Sequence, residues 1–200
     1  DNTAVGASAL LTNTTGTQNT AVGAYALDAG NHSNCNAFGY QALTANTTGA
    51  SNCAFGSHAL MANTTAASNS AFGHRALDAN TTGDNNTAVG ANALGANTTG
   101  TQNVAVGGVT LSANSTGSYN TGVGYEVLAS HTASYNTAFG YHALYQNTTG
   151  DRNTAVGESA LQSNTTGQFN VAIGSRAMIS GTGSNNVIIG KSAAEDASFT

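Results

Sequence analysis

Small, large apolar and amide side chains follow one another in a fixed order that restarts every 17 or 16 residues. The unit reads Asn-Thr-Ala-Val-Gly-x-x-Ala-Leu-x-x-Asn-Thr-Thr-Gly-x-x. Let the glycine closing Thr-Ala-Val-Gly be column zero. The anchors are then Gly6, Gly23, Gly39, Gly56, Gly73, Gly90, Gly107, Gly124, Gly140, Gly157, Gly174 and Gly190. Column −1 is always large and apolar, from Val5 through Phe38, Phe55 and Phe72 to Ile189. Column −2 is Ala in ten copies, and column +4 is Leu in ten, followed by Met178 and Ala194. Column +3 is mostly Ala. Asn fills column −4 in eleven copies and column +7 in eight.

A short fixed period means one structural unit stacked on copies of itself. Gly, Asn and Thr recur every few residues and are weak helix formers, so the unit is all-β. The columns predict two short strands per coil, one over Thr-Ala-Val-Gly and one centred on Ala-Leu. The residues after the anchor turn the chain, and Asn-Thr-Thr-Gly turns it back, since Asn and Gly take positive φ cheaply. The expected architecture is a repetitive parallel β-solenoid, or β-roll, of about twelve coils over residues 1–192, with a C-terminal cap or linker over 193–200. At about 4.8 Å per coil the rod is roughly 55 Å long. The predicted interior holds the column −1 residue, the Leu and the two alanines of each coil. That interior is thin, and the small alanine columns favour close approach of chains. The expectation is therefore a parallel homotrimer with alanines near its axis, with a single-chain solenoid as the alternative.

Two short stretches carry a family likeness. Asn19-Thr20-Ala21-Val22-Gly23 and Asn170-Val171-Ala172-Ile173-Gly174 resemble the Ser-Val-Ala-Ile-Gly-x-x-Ala-x-Ala repeat of trimeric autotransporter adhesin heads. The likeness covers about nine residues of each copy. It departs in period, because the family's repeat is shorter and lacks the Asn-Thr-Thr-Gly insertion. The longer unit is similar to repeats of phage and virus tail-fibre-like proteins. The resemblance implies a trimeric left-handed parallel β-roll in an extracellular, cell-surface or virion fibre.

Composition narrows the chemistry. Charged residues make up 6% of the 200, and the net charge is −5. A polyanion partner needs Lys and Arg clusters, so nucleic acid is not expected. The apolar residues keep strict register, which opposes disorder. No run is long enough to span a membrane. The chain starts in mid-repeat at Asp1, and is read as part of something longer or as a processed product. An open first coil can also accept another subunit, so a head-to-tail filament stands beside the trimer as a self-partner.

Catalysis is not expected. The five histidines lie in different columns or distant coils, and the carboxylates are scattered, so no nucleophile, base and orienter assemble. No cofactor and no metal are expected. The Gly-x-Gly at Gly122-Val123-Gly124 and Gly181-Thr182-Gly183 opens no phosphate loop, and no column supplies the aspartates of a calcium-binding repeat. Cys35 and Cys53 both follow Ser-Asn. If Asn36 is a bulge, they share column −3 on adjacent coils within reach of a disulfide; the alternative is two free thiols. Asn13, Asn46, Asn63, Asn80, Asn97, Asn114, Asn147 and Asn164 stand in glycosylation sequons, against an amide-ladder role between coils. Thr-Thr pairs at the return turn suggest an ice-binding threonine array as a further reading. Variable columns supply the surface-binding candidates Tyr119, Tyr125, Tyr135, Tyr141, His142 and Tyr145, a patch suited to cell-surface glycans or protein. The function read from these features is a structural or adhesive fibre segment, with a glycan-binding module or an ice-binding solenoid as alternatives.

Overall fold

The structure, a computed structural model, describes residues 1–195. Twelve three-residue strands lie in one parallel sheet in strict chain order. They are β1 (Thr3–Val5), β2 (Thr20–Val22), β3 (Asn36–Phe38), β4 (Cys53–Phe55), β5 (Ser70–Phe72), β6 (Thr87–Val89), β7 (Val104–Val106), β8 (Thr121–Val123), β9 (Thr137–Phe139), β10 (Thr154–Val156), β11 (Val171–Ile173) and β12 (Val187–Ile189). Register follows the columns: Ala88 pairs with Ala105, and Val89 with Val106. The β-solenoid is thus established, one strand per coil. The expected cap or linker falls mostly outside the described residues.

The second strand predicted at Ala-Leu does not form. Residues at columns +2 and +4 take left-handed φ, as at Arg75 (56°) and Leu77 (53°). Alternate left-handed residues curl the chain too tightly for a strand, and each costs about 1–2 kcal/mol in a non-glycine residue. Bonding between coils repays it. Leu77 N–H donates to Ala93 O at 3.0 Å, and Arg75 N–H to Ser57 O at 3.1 Å. The curl also turns every Leu inward.

The predicted interior is corrected in one column. Strand alternation sends column −2 in and column −1 out. Ala88 and Ala105 have no exposed surface, whereas Val89 is 38% and Phe72 39% exposed. The core is Ala, Ala and Leu, and the Val/Phe/Ile column lies on the surface. The alanines are consumed inside one chain and cannot line an axis between chains. Where β8 has Gly122 in the alanine column, bulkier Thr110 and Val127 fill the space; a Cβ at Gly122 would sit 2.8 Å from Thr110 Cγ2.

Two buried asparagine ladders complete the interior. In column −4, each backbone N–H donates to the side-chain Oδ1 of the coil before: Asn86 to Asn69 at 2.9 Å, Asn103 to Asn86 at 3.0 Å. Most Nδ2 groups donate forward to a turn carbonyl, as Asn86 does to Gly100 O at 2.8 Å and Asn103 to Gly117 O at 2.9 Å; Asn69 Nδ2 is left without a partner. In column +7, Asn80 Nδ2 donates to Asn63 Oδ1 at 3.0 Å and to Gly83 O at 3.0 Å. These amides do for the turn what the sheet ladder does for the strand, satisfying buried backbone groups that a thin core would otherwise orphan.

Three coils have only 16 residues, those ending at Gly39, Gly140 and Gly190. Each loses a residue of the Asn-Thr-Thr-Gly turn and with it the column +7 amide. Met178 reaches into the place at Gly181, where an added Cβ would sit 2.4 Å from Met178 Cγ. In the Gly39 coil Gly30 stands in that column, and His32 is buried two residues on. His131 takes the asparagine place itself. Its Nδ1 accepts from Asn147 Nδ2 at 3.0 Å, which puts the proton on Nε2, 3.2 Å from Asn120 Oδ1. Burial pushes the His131 imidazole down to about 4 and lowers His32 as well.

That depression makes the rod acid-sensitive at these coils. An unfolded histidine takes a proton near pH 6.5. Between 6.5 and 4 the unfolded chain therefore holds a proton that folded His131 refuses. The stabilisation is complete above 6.5 and is lost as pH falls towards 4, about 3 kcal/mol in all. Amide exchange measured from pH 7 to pH 4 should show protection falling first around His131. His131→Asn, which restores the ladder residue, should flatten that response; an unchanged pH profile would show that the imidazole does not carry it.

Candidate functional site

The outward face of the sheet is the first candidate. Column −1 runs its whole length as Val5, Val22, Phe38, Phe55, Phe72, Val89, Val106, Val123, Phe139, Val156, Ile173 and Ile189. Three phenylalanines stack face to face, with Phe38 to Phe55 at 4.4 Å, Phe55 to Phe72 at 5.1 Å, and 10° between planes in both pairs. At three residues per strand the face is about 10 Å wide and 55 Å long, of order 500 Å². The Val, Phe and Ile column is an apolar stripe within that face. Column −3 beside it holds six Thr, with Asn36, Cys53, Ser70, Val104, Val171 and Val187 in the other coils.

The six surface-binding candidates fall into two groups on opposite edges of this face. Tyr119 and Tyr135, at column −5, stack at 4.9 Å with 3° between planes. The row continues along the same column: the Arg152 guanidinium lies 4.9 Å from the Tyr135 ring and 5.4 Å from that of Phe169. On the other edge Tyr125 and Tyr141 are parallel at 6.2 Å. His142 is packed between Tyr141 (3.8 Å) and Tyr145 (4.6 Å). Its Nε2 lies 2.7 Å from Glu126 Oε2. The Glu126 carboxylate beside Tyr125 holds that phenol above its usual range. Stacking uses up ring faces in the first group, so it is a surface brace. The second group keeps carboxylate, imidazole and phenol together at the surface. A third aromatic row climbs the same edge lower down: Tyr25, Tyr40, His58 and His74, at successive centroid separations of 6.2, 5.4 and 6.0 Å.

The other sequence candidates lie inside or apart. Asn46, Asn63, Asn80, Asn97, Asn114, Asn147 and Asn164 have no exposed surface, and their Nδ2 groups are bonded. Asn13 is half-buried, with its Nδ2 on Gly16 O at 3.0 Å. These asparagines are the ladder, and a glycan on any of the buried ones requires the coil to open. Register separates the cysteines. Cys53 pairs with Asn36, not with Cys35. Cys35 therefore takes the column −4 place with its side chain inward, and Cys53 alternates outward. The bulge at Asn36 does not form, and both thiols are free. Cys35 Sγ stands where an amide would, 3.4 Å from Gly49 O. Burial raises both thiols above their ordinary range, which makes them poor nucleophiles.

The threonine rows are half spent. The first hydroxyl of each turn donates to the next coil, as Thr64 Oγ1 does to Thr81 O at 3.1 Å and Thr81 to Thr98 O at 3.0 Å. Among the described residues no cleft opens in the surface and no group of three metal-ligating side chains assembles. No family model, curated protein or solved structure matches this chain.

Proposed function

We propose that the chain is a structural or adhesive segment of an extracellular fibre of the adhesin or tail-fibre kind, held as a parallel homotrimer through the Val/Phe/Ile face. The observation that carries the reading is the unbroken apolar column on the outside of a rod whose own core is closed. Every coil contributes one such residue at the same height. Parallel chains can therefore meet in register along the full length, and burial of each large side chain contributes about 1.5–3 kcal/mol. Coil stacking supplies the mechanical continuity, since each coil bonds its neighbour through its strand, and asparagine ladders reinforce the stack. The likeness of Asn-Thr-Ala-Val-Gly to adhesin-head repeats supports the same reading.

Light scattering tests it. The expected mass is three times 19.8 kDa, and the double variant Phe55→Lys, Phe72→Lys should fall to single chains with its far-ultraviolet spectrum kept. A wild-type particle of 19.8 kDa at working concentrations would remove the proposal. The Tyr125, Glu126, Tyr141, His142 and Tyr145 group favours a second reading, shallow glycan contact repeated along the fibre, because it sets a carboxylate and an imidazole against exposed rings. A glycan array with Tyr125→Ala and Tyr141→Ala checks it.

A further inference from the structure

The histidines scatter through the sequence columns, but coil stacking joins two of them. His58 sits at column +2 of its coil and His74 at column +1 of the next. The difference in column is cancelled by the diagonal between coils, and the ring centroids lie 6.0 Å apart, with 65° between planes. Both rings also have one nitrogen already engaged, and by the same residue. His74 Nδ1 lies 3.2 Å from the Ser57 carbonyl oxygen. A carbonyl can only accept, so that nitrogen carries the proton and Nε2 of His74 keeps its lone pair. His58 Nδ1 lies 3.0 Å from Ser57 Oγ. That hydroxyl donates or accepts, so His58 can adopt the same tautomer. A ring held at Nδ1 by a carbonyl or hydroxyl, with Nε2 left free, is the arrangement by which proteins orient metal-binding imidazoles.

From this we infer that His58 and His74 form a two-imidazole site for a divalent transition-metal ion of the nickel, copper or zinc class, bridging adjacent coils. With metal–nitrogen bonds of 2.0–2.1 Å, two imidazoles sharing one ion place their centroids roughly 5–6 Å apart, and the observed 6.0 Å lies at the upper end of that span. His74 is exposed and His58 half-buried, so solvent reaches the pair. Among the described residues no third His, Cys, Asp or Glu joins them, and water completes the coordination. The nearest charges are Arg75 and Asp78, which pair with each other at 2.9 Å, leaving little net charge to repel a cation. The ligand set is imidazole and water, which suits nickel, copper and zinc and not calcium or magnesium. A bound ion would tie two coils through their side chains at the corner where the chain turns away from the sheet. The site lies within one chain, so it does not depend on the proposed trimer.

Calorimetric titration of the untagged, full chain with Ni²⁺ and Zn²⁺ tests the assignment. One ion per chain is expected, with a sub-millimolar dissociation constant. His58→Gln and His74→Gln should each weaken it about tenfold or more, while His142→Gln should leave it unchanged. Nickel should broaden the ring protons of His58 and His74 before those of buried His32 and His131. Absence of saturable binding would overturn the proposal. So would binding that survives both substitutions together, or binding lost with His142→Gln alone. Unchanged far-ultraviolet spectra of the variants separate loss of ligand from loss of fold.

Discussion

Gly90→Ala should break the rod at its sixth coil, with a loss of several kcal/mol of local stability. Two independent obstacles meet at this position. The backbone stands at φ 134°, outside the regions that a residue with a Cβ occupies readily. An added Cβ would also lie 2.6 Å from both the carbonyl carbon and oxygen of Gly107. Those are backbone atoms of the next coil, and they cannot turn aside as a side-chain tip can. Relief requires the coils to part, and parting them breaks the bond from Gly107 N–H to Val89 O at 2.7 Å. Strain of this backbone kind costs of order 1–3 kcal/mol before any clash is counted. Gly95→Ala is the matched control. Its nearest contact would be Asn92 O at 3.3 Å, and the same column holds Met61, Asp78 and Tyr145. It should be neutral within about 1 kcal/mol, because fewer unfolded conformations offset a slightly tight fit. Urea unfolding of the two variants compares them directly. Equal stability would show that the anchor glycine is not needed for close approach.

Asn103→Leu should be nearly as damaging, although it makes the interior more apolar. Asn103 Oδ1 accepts the backbone N–H of Asn120 at 3.0 Å, and its Nδ2 reaches Gly117 O at 2.9 Å. Leucine leaves the Asn120 N–H buried and without an acceptor, which costs about 1–3 kcal/mol. Crowding by a branched side chain in a closed core adds about 1–3 kcal/mol. Asn103→Cys should cost less, since Cys35 already holds the equivalent place with its Sγ against Gly49 O at 3.4 Å. The order Asn, Cys, Leu in falling stability is the expected outcome of thermal unfolding. Leucine at or above wild type would show that hydrophobic filling, not amide pairing, sets the stability of this column. Nearest-neighbour coupling in a stacked array means that hydrogen exchange should report the loss in the coils around the substitution before the ends.

The site was less legible than the fold. Tyr125, Tyr141, His142 and Tyr145 were found as neighbours because period and column place them together. Their partner Glu126 stands in the same variable columns, and its role follows from its contact with His142. Arg152 and Phe169 share column −5 with Tyr119 and Tyr135, yet a mixed column of Tyr, Arg and Phe reads as idle variation until the stack is seen. His58 and His74 stand in different columns, so column reading kept them apart. Only the diagonal between coils, with Ser57 holding both rings, brings them together. For the asparagines the sequence leaves two readings open, since a sequon and an amide ladder are written with the same letters, and their burial favours the ladder.

The period determined the stacking and the register, because a repeat of 17 or 16 residues has to place like beside like, and the recurring Gly, Asn and Thr determined the absence of helix among the described residues. It also marked the anchor glycines. Which face of each strand turns inward was decided only by the tertiary structure. Thr-Ala-Val alternates whichever way it is turned, so Ala or Val can fill the core with the same sequence. The left-handed turn at Ala-Leu settles it. By curling instead of extending, it brings Leu and Ala against the small side of the strand, where alanine fits along the coils and the larger Ile188 of the last strand is only partly buried. The bulky column is thereby sent outside, where the proposed assembly of the fibre would take place.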